Sequence, residues 1–229
     1  MTSSKIIFLI GLPGAGKGTQ ANLLSLHFGL YHFETSNMIR EKFNKSLNDP
    51  EVAEAKIAYD KGDLISAELL FEWLKEAIDA MELMGGIVFD GSPRTLFEVE
   101  NLLPFLIDRF GRENILALNI KISEEDTMWR NTHRRICEKC RKPVIYSEEN
   151  VKLINCPHCG GKLVTRDLDK AEIIKERIRE YIEETAPVVE YLKKVELLDE
   201  VNGQQSVEKV FNDARESILK HFGHGNIKK

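Results

Sequence analysis

Gly11-Leu12-Pro13-Gly14-Ala15-Gly16-Lys17-Gly18-Thr19-Gln20 is the stretch of this chain best equipped for chemistry. Successive backbone N–H groups in a glycine-rich turn, backed by a helix N-terminus, make a cradle for phosphate oxygens. Glycines suit it because the backbone must approach those oxygens with no Cβ in the way. Lys17 adds a mobile point charge for β- and γ-phosphates. The general pattern G-x-x-x-x-G-K-[ST] puts a magnesium-binding hydroxyl directly after the lysine. Here that position is Gly18, and Thr19 follows one residue later. Gly14, Ala15, Gly16, Lys17, Gly18 and Thr19 form the candidate phosphate-binding set.

A second chemistry is written in four cysteines. Cys137-x-x-Cys140 and Cys156-x-x-Cys159 are separated by fifteen residues, a spacing that lets two knuckles offer four thiolates tetrahedrally to zinc. Gly160 and Gly161 follow the second knuckle, where the chain must reverse. Four thiolates saturate the metal, so His158 reads as a turn residue and the zinc as structural. It substitutes for a core that so short an insert cannot build. The rival reading is a nucleic-acid-binding ribbon. Mixed flanking charges (Glu138, Glu148 and Glu149 against Lys139, Arg141 and Lys142) and the lack of interleaved aromatics favour a metal-stapled flap.

These groups need a scaffold to position them. Lys5 to Ile10 is an apolar, β-branched run that reads as a buried parallel strand, and the pattern Ala21, Leu23, Leu24, Leu26, Phe28 reads as the helix after it. Ile87–Asp90, Ile115–Ile122 and Leu197–Val201 read as further strands. Helical patterns cover Ser66–Met84, Leu96–Phe110, Ser123–Arg135, Lys170–Lys194 and Ser206–Phe222. Such alternation predicts an α/β fold with a doubly wound parallel sheet. Thr35 to Ile65 reads as helical and polar, with no strand between the first helix and the next core helix. Cys137 to Val164 reads as short-stranded. Both are insertions on one core. His27 and His32 read as surface or capping residues, Phe71 and Trp73 as core, and Trp129 as packing under a hinge.

At 229 residues and 42% hydrophobic content, the chain can bury one domain's core with insertions. A net charge of −5 gives no general attraction to nucleic acid or anionic membrane. No apolar run approaches membrane-spanning length, and Met1-Thr2-Ser3-Ser4 leads straight into a core strand. The expectation is a cytoplasmic protein, acting as a monomer without nucleic-acid or membrane partners, whose cysteines do not form disulfides.

Arginines in motifs complete the picture. Phosphoryl transfer needs positive charge over the oxygens of the moving group, and the planar guanidinium fork supplies it. From Ile6 to about Ile218 the chain resembles adenylate kinases of the long, zinc-containing lid type. The resemblance implies a P-loop three-layer core (1–33, 66–132 and 170–229), a small helical NMP-binding insert (34–65) and a zinc-ribbon-like lid (133–169). It implies ATP with Mg²⁺ as donor and a nucleoside monophosphate as acceptor. Thr35-Ser36-Asn37-Met38-Ile39-Arg40 matches T-G-D-M-L-R, which implies Thr35 at the acceptor nucleoside and Arg40 on its phosphate. Lys61 to Ser66 resembles the segment closing the acceptor site, with Ile65 near the base. Asp90-Gly91-Ser92-Pro93-Arg94-Thr95 matches D-G-F-P-R-T, implying Gly91 and Arg94 at the acceptor and Asp90 at the magnesium water shell. Arg130 and Arg134, one helical turn apart, fit the donor-side arginines. Arg166, in Thr165-Arg166-Asp167-Leu168-Asp169, and Arg177 fit the arginines over the transferring phosphoryl. Glu184-Thr185-Ala186-Pro187 matches a T-A-P helix interruption, and the loop ending in Gln205 fits the donor adenine.

The departures gather on the acceptor side. Ser36, Asn37 and Ser92 replace a glycine, an aspartate and an aromatic. Glu98 stands where the family has a side-chain amide. An amide satisfies adenine N1 and N6 together, whereas a carboxylate only accepts and suits the N1–H and N2–H₂ donors of guanine. The resemblance makes AMP the expected acceptor (ATP + AMP giving two ADP), and a shift by Glu98 away from AMP, toward GMP, is the alternative. A solvent-facing Glu98, or a helix register moved by one turn, would cancel that alternative. A nucleotide-binding sensor without turnover is the other alternative, disfavoured by the acceptor-side arginines.

Overall fold

The computed structural model describes residues 4–46, 48–61, 65–81, 85–140, 142–144, 150–166 and 169–223. Strand β1 (Lys5–Ile10) is buried along its whole length, and its alternate side chains feed two cores. Ile6, Phe8 and Ile10 pack against helices α4 (Ala67–Asp79), α5 (Leu96–Phe110) and α8 (Ala186–Lys194). Ile7 and Leu9 pack against α1 (Lys17–Phe28) and α9 (Val207–Phe222) on the other face. The result is a three-layer α/β fold. Its sheet is wholly parallel, with order β2-β3-β1-β4-β8, where β2 is Tyr31–Glu34, β3 Gly86–Asp90, β4 Ile115–Lys121 and β8 Leu198–Asn202. The loops after β1 and β3 therefore leave the same edge of the sheet side by side, where ligands bind in open parallel sheets.

Serine and threonine caps start the helices. Ser66, Thr95, Ser123 and Ser206 each accept a hydrogen bond from the backbone N–H three residues on. Ser123 caps α6 (Glu124–Thr132). Between β2 and α4 lie α2 (Thr35–Lys45) and α3 (Pro50–Lys61). Ile39, Phe43, Val52, Ala55, Ile65 and Trp73 make a separate apolar cluster that joins this pair to α4. The cysteine segment forms a small antiparallel sheet, order β6-β5-β7, from β5 (Arg135–Cys137), β6 (Pro143–Val144) and β7 (Leu163–Val164).

Three elements differ from the sequence expectation. The chain does form a strand after α1: β2 is a four-residue edge strand pairing with β3, too short and too exposed to show an apolar run. α6 stops at Thr132, whose hydroxyl bonds back to the Met128 carbonyl at 2.8 Å, a contact that competes with helix continuation. Arg134 therefore lies beyond the helix, not one turn along it, and Arg135 begins a strand. The stretch expected as one helix over 170–194 is α7 (Ala171–Glu180), a π turn (Tyr181–Thr185) and α8. Pro187, at the start of α8, has no N–H to carry the α-helical ladder back into the preceding turn. The expected helix end at Met84 and the segment Gly62–Leu64 lie outside the described residues.

Candidate active site

The turn after β1 wraps the Lys17 ammonium, which donates to the carbonyls of Gly11 at 2.7 Å and Leu12 at 3.0 Å. Gly16 takes φ 90° as the residue before α1, a left-handed conformation that glycine adopts without strain. Asn131 braces the turn from α6 by donating to the Pro13 carbonyl at 3.0 Å. A Cβ on Gly14 would lie 2.5 Å from that same amide nitrogen. Ala15 is buried beneath the turn, and Thr19 continues α1.

Gly18 has an equally concrete cause. A Cβ there would sit 2.9 Å from an Asp90 carboxylate oxygen. The place where the general pattern carries a hydroxyl is thus next to an acid at the end of β3. Burial pushes the Asp90 carboxyl up, but the neighbouring His32, Lys17 and Arg94 more than offset this and hold it below the ordinary carboxylate range. His32, on β2, has its Nε2 3.7 Å from Asp90 Oδ2. It faces the site and is not the surface or capping residue expected from its position. His27 packs edge-on against Phe28 and Phe211.

Lys17, Arg94, Arg134, Arg166 and Arg177 are brought together. Burial, with the charges of Arg94, Arg177 and Arg134, pushes the Lys17 pKa down to about 8 against the pull of Asp90. Arg177 on α7 is pushed down to about 10 by burial and by Arg134, Arg94 and Arg166. Its buried Nη1 finds no hydrogen-bond partner among the described residues. Arg134 is the best anchored of the set, because both oxygens of the buried Asp169 take its guanidinium, one at 3.0 Å. Such a knot of cations costs energy when empty and can hold a polyanion when filled.

On the other side of Lys17, Arg94 Nε donates to the Gly91 carbonyl at 2.8 Å. Thr35 Oγ1 donates to Ser92 Oγ at 3.2 Å, and Ser92 donates to Glu98. Glu98 does not face solvent. It is 2% exposed, and its second oxygen accepts the Arg94 backbone N–H at 2.7 Å. Burial raises its pKa against the hydrogen bonds from Ser92 and Arg94. Ile65 is buried in the cluster joining α2, α3 and α4. Arg40 stands apart from the cationic knot, exposed on α2 and bonded to Asn37.

The remaining residues flank α6. Arg130 donates to the Gly203 carbonyl at 2.8 Å, which fastens the loop after β8 to the helix. Gln205 in that loop turns its side-chain amide to Asp213 on α9. Trp129, expected under a hinge, is 47% exposed and stacks on His133 with ring centroids 4.8 Å apart. Asn131, His32 and Thr185 were missed by sequence reasoning. The only signal for Asn131 was an amide placed on a helix between two arginines.

In the ribbon, Cys137, Cys140, Cys156 and Cys159 place their sulfurs within 4.8 Å of one another. Cys137 and Cys159 are 3.4 Å apart, Cys140 and Cys156 3.7 Å. Four thiolates on one tetrahedral zinc would be separated by about 3.8 Å, given a zinc–sulfur distance of about 2.3 Å. The donor set fits that ion. The backbone N–H groups of Cys140 and His158 already point at sulfurs, each at 3.4 Å. No helix among the described residues is long and apolar enough to cross a membrane.

Comparison with known proteins agrees with this geometry. The family model described as adenylate kinase matches residues 9–197. The chain is similar to the adenylate kinase of Caldicellulosiruptor saccharolyticus, 36% identical over 220 residues, which cover 95% of this chain and 98% of that one. It is similar to that of Clostridium acetobutylicum, 38% identical over 212 residues (91% and 96%), and to that of Archaeoglobus fulgidus, 35% over 219 residues (93% and 97%). A phosphate-cradling turn, a knot of arginines at the same sheet edge and near-complete coverage at this identity lead to one conclusion: this chain is a phosphotransferase belonging to the adenylate kinase family.

Proposed function

We propose that this enzyme transfers the γ-phosphoryl group of Mg²⁺·ATP to AMP, giving two ADP. The observation that carries the reading is the cationic knot. Burial and the charges of Arg94 and Arg134 lower the pKa of both Lys17 and Arg177, with Arg166 adding to the effect on Arg177, and one buried guanidinium nitrogen of Arg177 has no partner among the described residues. A protein that only held ATP would need the turn at 11–19 but not Arg94 with its hydrogen-bonded loop.

In this reading the N–H groups of 14–19 and Lys17 hold the donor β- and γ-phosphates. Arg130, Arg134 and the backbone around Gln205 hold the rest of the donor. Thr35, Arg40, Ile65, Gly91 and Arg94 hold the acceptor. Arg166 and Arg177 spread positive charge over the phosphoryl group in flight, which is the main task in such a reaction. The acceptor phosphate is already anionic, so no general base is required. Residues 34–65 and 133–169 act as two lids on the core formed by 1–33, 66–132 and 170–229. Their closure excludes water, so that the monophosphate intercepts the phosphoryl group. Arg40, now exposed, would join the site on closure of the first lid. Mg²⁺ supplies charge neutralisation on the phosphate oxygens, and the ionised Asp90 carboxylate beside Gly18 suits a hard cation held through water. Zinc on the four cysteines staples the second lid.

A coupled assay with AMP, GMP, CMP and UMP tests the proposal. Diphosphate formation with AMP as the best acceptor is expected. ATP binding without turnover on any acceptor would overturn it in favour of a sensor.

Lys17 makes a separate prediction. Its pKa of about 8 belongs to the empty site. Phosphate oxygens favour the charged ammonium, so binding raises that pKa and draws in a proton wherever the free lysine is partly neutral. At pH 8.5, roughly 0.8 proton should be taken up per ATP bound, the neutral fraction for a pKa near 8. Calorimetry in buffers of different ionisation enthalpy measures this. The uptake should vanish at pH 6.5 and in Lys17→Arg; equal uptake in the variant would refute the assignment.

A further inference from the structure

The loop carrying Arg94 is gripped through its backbone at both ends. Glu98 lies in the first turn of α5 with Thr95 as its cap. Its carboxylate reaches past the cap to accept the Arg94 N–H at 2.7 Å, while its other oxygen accepts the Ser92 hydroxyl, itself bonded to Thr35 at 3.2 Å. On the far side, Thr185 closes the π turn and donates its hydroxyl to the Arg94 carbonyl at 2.9 Å. The helix leading into that turn, α7, also presents Arg177. The two arginines are thus tied together through the peptide of one of them. Burying a carboxylate at 2% exposure is costly, and here the cost is met by two donors of a single loop.

We propose that Glu98 and Thr185 are positioning residues. They fix the Arg94 loop so that its guanidinium faces the acceptor phosphate in register with Arg177, and Glu98 acts through Arg94 instead of reading the acceptor base. The proposal rests on the assignment of Arg94 to the acceptor phosphate. Both carboxylate oxygens are spent inside the protein, one on the Arg94 backbone and the other on Ser92 and through it Thr35, so Glu98 reaches the ligand through its neighbours and not by direct contact.

The test compares Glu98→Ala, Glu98→Gln and Thr185→Val, each alone and combined with Arg94→Ala. Misplacing a substrate-binding group by about 1 Å costs up to about 100-fold. Glu98→Ala and Thr185→Val should each raise the KM for AMP about 10- to 100-fold and leave the KM for ATP within about twofold. The ratio of kcat/KM for AMP over GMP should stay within about threefold of the parent. Glu98→Gln should recover most of the loss, because its oxygen can accept the Arg94 N–H while its amide donates to Ser92. In the Arg94→Ala background the same changes should have no further effect on the acceptor. Calorimetric titration with AMP reads the same shifts without turnover, so the proposal can be judged even if the assigned reaction fails. A loss confined to one base, a matching rise in the KM for ATP, or full persistence without the Arg94 side chain would each overturn it.

Discussion

Replacing Arg177 by methionine is expected to make this protein more stable and a poorer catalyst at once. Arg177 is held below its ordinary pKa, to about 10, by burial and by three neighbouring arginines, against the pull of Asp169. At neutral pH both the folded and the unfolded chain carry this charge, so its full electrostatic cost is present there. That cost is removed only as pH rises above about 10 toward the ordinary arginine range, where the folded form loses the proton before the unfolded one. Nη1 adds a buried donor with no partner among the described residues. Methionine of similar length removes both penalties, a gain of about 1–3 kcal/mol. For a domain of this size each kcal/mol raises the melting midpoint by about 2–4 °C. The same change takes away charge where it develops in the transition state, which costs about 10²–10³ in kcat. Differential scanning calorimetry and a coupled assay on one preparation read both. A lowered midpoint with near-parental turnover would mean that Arg177 serves the fold and not the reaction.

That residue also marks where sequence reading stops. The turn at 11–19 was legible because its demands are local: glycines where the backbone must turn or approach closely, then a lysine, between an apolar strand and a helix. The cysteines were legible for the same reason, since a metal imposes its spacing on the chain. β1, β3 and β4 announced themselves as apolar runs because central parallel strands are covered on both faces. β2 did not, because an edge strand of four residues with one exposed and two half-buried side chains makes no such run. With it went His32, whose significance is set by Asp90, 58 positions away in the chain and two residues beyond its register partner Val88 on the neighbouring strand. Arg134 was placed in the site by its motif but on the wrong element, because the helix ends at Thr132.

Glu98 is the sharpest case. An acidic residue opening an amphipathic helix reads from the sequence as a ligand contact or a solvent-facing side chain, and its fate depends on which donors reach it. Ser92 is small enough and polar enough to turn its hydroxyl inward, and the Arg94 N–H completes the pair. The departures at 92 and 98, read separately as losses from the acceptor site, are one hydrogen-bonded unit in the fold. Spacing cannot reveal this, since it says which residues are neighbours in the motif and not which polar atoms share a buried space.

Removing zinc is expected to disable the enzyme by dissolving one lid while the core survives. The strands of the ribbon are three, two and two residues long, and among the described residues its buried apolar positions are Ile136, Val144, Cys137 and Cys156. So small a cluster cannot offset the entropy of ordering the segment. The ion must do that, and zinc-finger peptides gain about 10–16 kcal/mol from it. The P-loop sheet has its own two cores and owes the ribbon nothing. Chelation, or Cys156→Ser, should therefore release about one zinc per chain and add an early transition to the melting curve, with the main one nearly in place. Turnover should fall by at least about 10²-fold, because Arg166 sits on the stretch returning from β7 and loses its placement when that strand is lost. ATP should still bind at the turn around Lys17. A single unchanged transition after chelation, with turnover intact, would show that the four cysteines hold their fold without a metal.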